Sequence, residues 1–125
     1  KVRDVMHSGD AIPKVMTGTS LPEALLEMSS KGFGLTTIIG ESGNLLGVFS
    51  DGDLRRTIDS GKNIQAIIID EVMSTSFKYI DANALAAEAA RIMQESGVYV
   101  LIVKSKSQPV EGVLKMHDLL QSNVV

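Results

Sequence analysis

Cysteine is absent from the 125 residues. No disulfide framework, thiolate nucleophile or cysteine-based zinc site can therefore be built, and the absence fits a reducing cytoplasm. Long apolar runs are missing as well: stretches such as 98–103 and 67–69 fall far short of the roughly 20 residues that a membrane-spanning helix needs. The opening Lys1-Val2-Arg3-Asp4 has no apolar signal region, so neither export nor a membrane partner is expected. Positive charge is scarce. Twelve Lys and Arg stand against 15 Asp and Glu for a net charge of −3, and the basic residues are scattered apart from Arg55-Arg56. That distribution lacks the footprint of a nucleic-acid binder. There is no initiator Met, and the chain opens mid-pattern, which leads us to expect a piece of a longer protein. What is present is a core: 44% of the residues are hydrophobic, enough for one compact domain without staples or metals.

The two halves of the chain repeat each other. Gly47-Val48-Phe49 recurs as Gly112-Val113-Leu114 and Asp53-Leu54 as Asp118-Leu119, each 65 positions on. Glu23-Ala24, Met28 and Gly32 recur at the same shift as Glu88-Ala89, Met93 and Gly97, while Val5-Met6 recurs as Val72-Met73 at a shift of 67. Each copy reads as a Val-Met lead-in, a short extended stretch, an amphipathic helix, two β-rich runs and a short final helix. Ser20-Leu21-Pro22-Glu23 is a capping-box start with Pro in the first turn. The helix that follows places Leu21, Ala24, Leu25 and Met28 on one face and stops near Gly32. In the second copy Leu85, Ala89, Ile92 and Met93 form the apolar face, the helix stops near Gly97, and the capping signal at Asn83 or Asp81 is weaker. The β-branched runs 35–39 and 98–103 predict strands. Polar links at 40–44 and 104–109 predict hairpins into strands at 45–49 and 110–114. The expected fold class is α/β (α+β): two β-α-β-β-α units, 1–65 and 66–125, packed as an intramolecular pseudo-twofold pair, because a unit of roughly 60 residues buries little alone.

Gly47-Val48-Phe49-Ser50-Asp51-Gly52-Asp53-Leu54 resembles the G-h-h-[ST]-x-x-D signature of cystathionine-β-synthase-type (CBS) motifs, and Val72-Met73-Ser74 is similar to their lead-in. The strings 5–13, 49–56 and 113–120 resemble more closely the C-terminal CBS pair of D-arabinose 5-phosphate isomerases. The resemblance implies a regulatory module whose partner, an N-terminal sugar-isomerase domain, interconverts ribulose 5-phosphate and arabinose 5-phosphate on the way to Kdo and lipopolysaccharide. That domain is missing here, so the chain itself is expected to be inactive. The resemblance also implies that Ser50 touches a phosphate and Asp53 a ribose, with the base near Ile12, Pro13, Gly34 and Leu35.

The first motif has a physical reading of its own. A strand ending at Phe49 runs into Ser50-Asp51-Gly52-Asp53 and a helical stretch 54–58, so free N–H groups of a helix start face the loop and favour anions. Ser50 offers a hydroxyl and Asp53 a carboxylate suited to a diol. Set against this, Ser or Asp before a helix is commonly only an N-cap, and on one motif alone capping is the better reading. In the second copy Lys115 stands where Ser50 does while Asp118 is kept; that site binds a different anion or is structural. The candidate ligand-binding set is His7, Ser8, Ile12, Pro13, Gly34, Leu35, Ser50, Asp51, Asp53, Arg55, Lys115, Met116, His117 and Asp118. For His7 and His117 a hydrogen bond to backbone or ligand is favoured over metal binding. Arg55 and Arg56 read as solvated helix residues, either able to reach a ligand phosphate or carboxylate. Asp51 and Asp53 are not read as an acid-base pair. No catalytic residue, metal or required cofactor is expected. The expected ligand is a nucleotide or nucleotide sugar such as CMP-Kdo, and homo-oligomerisation is expected; a ligand-free structural pair or an adenine-nucleotide sensor of another host are the alternatives.

Overall fold

The computed structural model describes residues 1–106 and 108–122. Among them are two three-stranded sheets and four α-helices. In chain order these are β1 (Lys14–Met16), α1 (Leu21–Lys31), β2 (Leu35–Ile39), β3 (Leu45–Ser50), α2 (Asp51–Asp59), β4 (Tyr79–Ile80), α3 (Ala86–Ser96), β5 (Val100–Val103), β6 (Gly112–Lys115) and α4 (Met116–Gln121). Short 3-10 turns sit at Val2–Asp4 and Ile69–Glu71, the matching lead-in positions of the two copies.

Within each sheet the middle strand is parallel to the first and antiparallel to the third: β1-β2-β3 and β4-β5-β6. Leu35 faces Ser50 across β2 and β3, and Val100 faces Lys115 across β5 and β6. The equivalent registers follow from the repeat, since inward-facing positions recur with it.

Two compact units result. One joins Lys1–Ile12 to the chain from Lys78 on; the other is Pro13–Phe77. The lead-in at the start of the chain thus completes the core around β4–β6: Val2 is fully buried with Ile80, Ala89, Met93, Leu101 and Leu114, and Val5 and Met6 pack against them. The second lead-in completes the other core, where Ile69 is buried with Leu21, Ala24, Ile38 and Phe49, and Val72 and Met73 pack on it. The sequence copies and the compact units are therefore different pieces of chain.

The glycine opening each motif is explained by this arrangement. Ser74 N–H donates to Val48 O at 2.7 Å and Val48 N–H to Ser74 O at 2.9 Å; in the other unit His7 N–H donates to Val113 O at 2.8 Å and Val113 N–H to His7 O at 2.9 Å. A Cβ on Gly47 would stand 2.7 Å from Ser74 O and 2.8 Å from Met73 Sδ; one on Gly112 would stand 2.6 Å from His7 O and 2.8 Å from Met6 Sδ. No side chain fits between strand and lead-in at either place.

Several boundaries differ from the sequence reading. Strand β5 starts at Val100 rather than 98, because the Val98 N–H is still held by Met93 O at 3.1 Å behind the left-handed cap Gly97. Strand β6 starts at Gly112 rather than 110. Leu85 is not on the buried face of α3. It is the N-cap, with extended backbone and 65% exposure, and Ala86, Ala89, Ala90 and Met93 are the buried residues. Asp81 lies in the preceding turn, accepting from Asn83 N–H at 2.8 Å and Ser105 Oγ at 3.0 Å. At α1, Ser20 Oγ accepts from Glu23 N–H at 3.3 Å, Pro22 occupies the first turn and Gly32 closes the helix with φ +79°, as expected. Of the predicted 104–109 link, Ser107 lies outside the described residues.

Candidate functional site

The candidate residues fall into two groups, one in each compact unit. In the unit Pro13–Phe77, β3 runs one residue further than expected and passes into α2 without a loop. Ser50 is its N-cap and Asp53 its third residue, and the two form a reciprocal capping box. Ser50 N–H donates to Asp53 Oδ2 at 2.9 Å, the Ser50 hydroxyl to the same oxygen at 3.0 Å, and Asp53 N–H to Ser50 Oγ at 3.4 Å. Asp53 Oδ1 accepts from Arg56 Nη2 at 2.6 Å, and the residue is only 8% exposed. The proposed diol-reading carboxylate is thus engaged at both oxygens, twice at Oδ2 and once at Oδ1. Arg55 and Arg56 are both exposed, as expected, and Arg56 in addition spends part of its guanidinium on Asp53. The signal was available in the three-residue spacing of Asp53 and Arg56, which brings opposite charges together on a helix.

Asp51, by contrast, takes part in no side-chain hydrogen bond or ion pair among the described residues. It borders a groove of about 440 Å³ together with Gly34, Gly32, Ser29, Leu25, Met28 and Leu54. Asp51 N–H donates to Gly34 O at 3.1 Å, so the end of the loop after α1 and the start of α2 are tied backbone to backbone. Gly34 has φ +73°, and a Cβ there would stand 3.2 Å from Asp51 Oδ2. Leu35 begins the strand paired to Ser50. Pro13 is buried, and its carbonyl accepts both the backbone N–H of Thr37 at 3.0 Å and its hydroxyl at 2.7 Å. Pro13, Gly34, Leu35, Ser50, Asp51 and Asp53 therefore cluster about β2, β3 and the head of α2, and Gly34 and Asp51 alone of the candidate set line the groove.

The other unit holds His7, Ser8, Ile12, Lys115, Met116, His117 and Asp118. Here β6 leads into α4 in the same way, but Lys115 at the N-cap provides no side-chain cap. With no hydroxyl to box with, Asp118 Oδ2 meets His7 Nε2 at 2.7 Å. The His7 ring thus meets a carboxylate that the sequence did not point to: the lead-in lies along β6, which delivers the imidazole to a group 111 residues away in sequence. His117, Ser8 and Arg55 are exposed, whereas Ile12 is buried. Among the described residues no three His, Asp or Glu side chains gather as a metal site.

A further clasp was not anticipated. Asp70 accepts from the Thr17 hydroxyl and from Gly18 N–H at 2.8 Å, which ties the turn after β1 to the second lead-in. These two donors, the Thr17 hydroxyl foremost, hold its carboxyl below the ordinary carboxylate range. The matching position of the first lead-in, 67 residues earlier, is Arg3, whose Nη2 donates to Asn83 Oδ1 at 3.2 Å.

The CBS-domain family pattern matches residues 2–60 and 69–124. The chain belongs to that family. As a CBS pair it is similar over all 125 residues to arabinose 5-phosphate isomerase KdsD of Pseudomonas aeruginosa, 46% identical, and to KdsD of Escherichia coli K12, 39% identical. In both cases the match covers 38% of the relative, its C-terminal CBS region, so the chain spans well under half the length of these relatives. Solved structures agree in fold. A conserved protein from Pyrococcus horikoshii superposes with a TM-score of 0.82 at 23% identity, covering 99% of this CBS pair and 92% of that chain. CBSX2 in complex with AMP gives 0.80 at 22% identity, covering 97% and 93%. No helix among the described residues is long and apolar enough to cross a membrane.

Proposed function

We propose that this CBS pair is the regulatory module of an arabinose 5-phosphate isomerase, and that it responds to a nucleotide or nucleotide sugar, CMP-Kdo first among the candidates. The observation that carries the reading is the 46% identity to KdsD along the entire chain. In the whole protein a sugar-isomerase domain interconverts ribulose 5-phosphate and arabinose 5-phosphate, in the cytoplasm, toward Kdo and lipopolysaccharide. Feedback from a later product of that route is the natural use of such a module. CMP-Kdo offers a cytosine, a ribose, a phosphate and an acidic sugar. On this chain the partners are the head of α2, with Ser50 and the helix N–H groups toward an anion, Asp53 toward a diol, and the groove beside Gly34 and Asp51. Because Asp53 Oδ2 already holds Ser50 and Oδ1 holds Arg56, a diol that takes Oδ2 competes with the cap of α2. That is a direct route from occupancy to conformation, since only a difference in contacts between two states lets a ligand shift them.

The adenine-nucleotide reading stands second and is favoured by the AMP complex of CBSX2. The ligand-free structural reading is favoured by the closed capping box, and it would make the pair an oligomerising unit. Thermal shift with AMP, ATP, CMP and CMP-Kdo separates the three. A ligand at a hundred times its dissociation constant stabilises by about 2.7 kcal/mol. Response to CMP-Kdo above the others supports the leading reading, response to AMP or ATP alone the second, and silence with all four overturns sensing. Light scattering with and without ligand reports the oligomer. Isomerase turnover by residues 1–125 alone would contradict the regulatory assignment.

A further inference from the structure

The groove beside α2 has a chemical preference of its own. Leu25, Met28 and Leu54 give it aliphatic walls, and about 440 Å³ falls in the range of small-molecule sites. Its charged group is Asp51. Two ion pairs are already made on the flanking helices: Asp53 holds Arg56 at 2.6 Å and Lys31 holds Glu27 at 2.8 Å, while Arg55 is exposed. Asp51 remains without a side-chain partner among the described residues. A carboxylate oxygen only accepts, so the edge of an occupant that meets it has to donate. Gly34 keeps that oxygen accessible, because any Cβ there would crowd Asp51 Oδ2 at 3.2 Å and would also have to tolerate φ +73°.

We infer that Asp51 reads the base: it accepts a hydrogen bond from the exocyclic amine of cytosine or adenine, with the ring against Leu25, Met28 and Leu54. Uracil and hypoxanthine carry a carbonyl at that position and present an acceptor to an acceptor. The carboxylate then finds no donor at that position, and the neighbouring ring N–H of uracil or hypoxanthine reaches it only if the base shifts, which is how a site placed for an amine disfavours the analogue lacking it. The inference rests on the nucleotide reading above and adds which bases that reading admits.

The test is isothermal titration of the full 125-residue chain with two matched pairs, CMP against UMP and AMP against IMP. The amino member is expected to bind about tenfold more tightly within whichever pair binds, the lower end for a hydrogen bond to a charged group because Asp51 is exposed. In Asp51→Asn the preference falls to about one, because an amide donates as well as accepts. Gly34→Ala, which presses on the carboxylate from the other side, weakens the amino member selectively. The unliganded melting temperature of each variant shows whether it is folded, and either variant alone suffices. Equal affinity within both pairs in the parent chain, or a preference that survives Asp51→Asn, overturns the inference while leaving nucleotide sensing intact. Failure of all four to bind overturns this inference, and CMP-Kdo sensing is then decided by the thermal shift described above.

Discussion

At the scale of single residues, the sharpest constraint is steric. Gly47 and Gly112 lie directly under the lead-ins, with backbone oxygen and methionine sulfur inside 3 Å of a would-be Cβ. Gly52, one turn into the same motif, has only ordinary contacts at 3.7 Å. Gly47→Ala and Gly112→Ala are each expected to cost about 1–3 kcal/mol, the usual range for overpacking. Gly52→Ala should be neutral or stabilise by up to about 1 kcal/mol, since it sits in a helix. Urea unfolding of the three variants checks the contrast, and a Gly47→Ala protein as stable as its parent would contradict the packing described here. Asp70 supplies a pH prediction. Its carboxyl titrates lower in the folded chain than in the unfolded one because the Thr17 hydroxyl and Gly18 N–H donate to the charged form. The stability it provides is present above the unfolded value, near pH 4, and is lost as pH falls through the lower folded value. Stability measured from pH 6 down to about pH 2 should therefore fall less steeply in Asp70→Asn than in the parent. The Ser50 cap was readable from residue type and position, because a hydroxyl before a helix with a carboxylate three residues on is a local arrangement. The His7–Asp118 and Thr17–Asp70 pairs span 111 and 53 residues and have no local signature.

At the scale of elements, the helices differ in how they begin. Helix α1 has Ser20 at its cap and Glu23 three residues on, whereas α3 begins at Leu85 with no side-chain cap and a Leu that is 65% exposed. Leu85→Ser places a hydroxyl at the cap with Glu88 at the third position, the arrangement already used by α1. A gain of about 0.5–2 kcal/mol is expected, read as a rise of a few degrees in the melting temperature; a fall would mean that Leu85 has packing the chain needs. Element type was legible throughout, since β-branched runs and apolar faces are set by short-range periodicity. The misplacements arose at ends. Leu85 matched the apolar spacing of α3 but sits where the backbone is still extended, and Val98 matched a strand but closes the previous helix. Boundary geometry is decided by which N–H meets which carbonyl, and composition says little about that.

At the scale of the whole molecule, the core around β4–β6 is finished by a segment distant in sequence, whereas the core around β1–β3 is finished within one continuous stretch. Removing Lys1–Met6 takes away Val2, Val5 and Met6, and it should expose the core around β4–β6 rather than the sheet that follows next in the chain. Native-state hydrogen exchange of the truncated chain is expected to show protection lost first in β4–β6 and α3, with β1–β3 retaining more of it. Loss confined to β1–β3 would contradict the assignment of the lead-in. The repeat itself was plain in the sequence, and with it the class of fold, because identical motifs at a constant offset must build alike. Which copy each lead-in completes was not legible. A shift of 67 at the lead-in against 65 elsewhere marks a break in the pattern without naming a partner, and burial of Val2 satisfies the same hydrophobic demand in either place. The corner of the groove was legible in part: Gly34 and Asp51 were both among the candidates, but their contact depends on the pairing of β2 with β3.

This exchange also imposes an order on synthesis. Everything that Pro13–Phe77 needs for its core has left the ribosome once Phe77 emerges, so that unit can close early. Val2 and Met6 are made before that unit yet find their neighbours Leu101 and Leu114 after it. The first lead-in has to wait, unpaired and partly apolar, until β5 and β6 have been extruded.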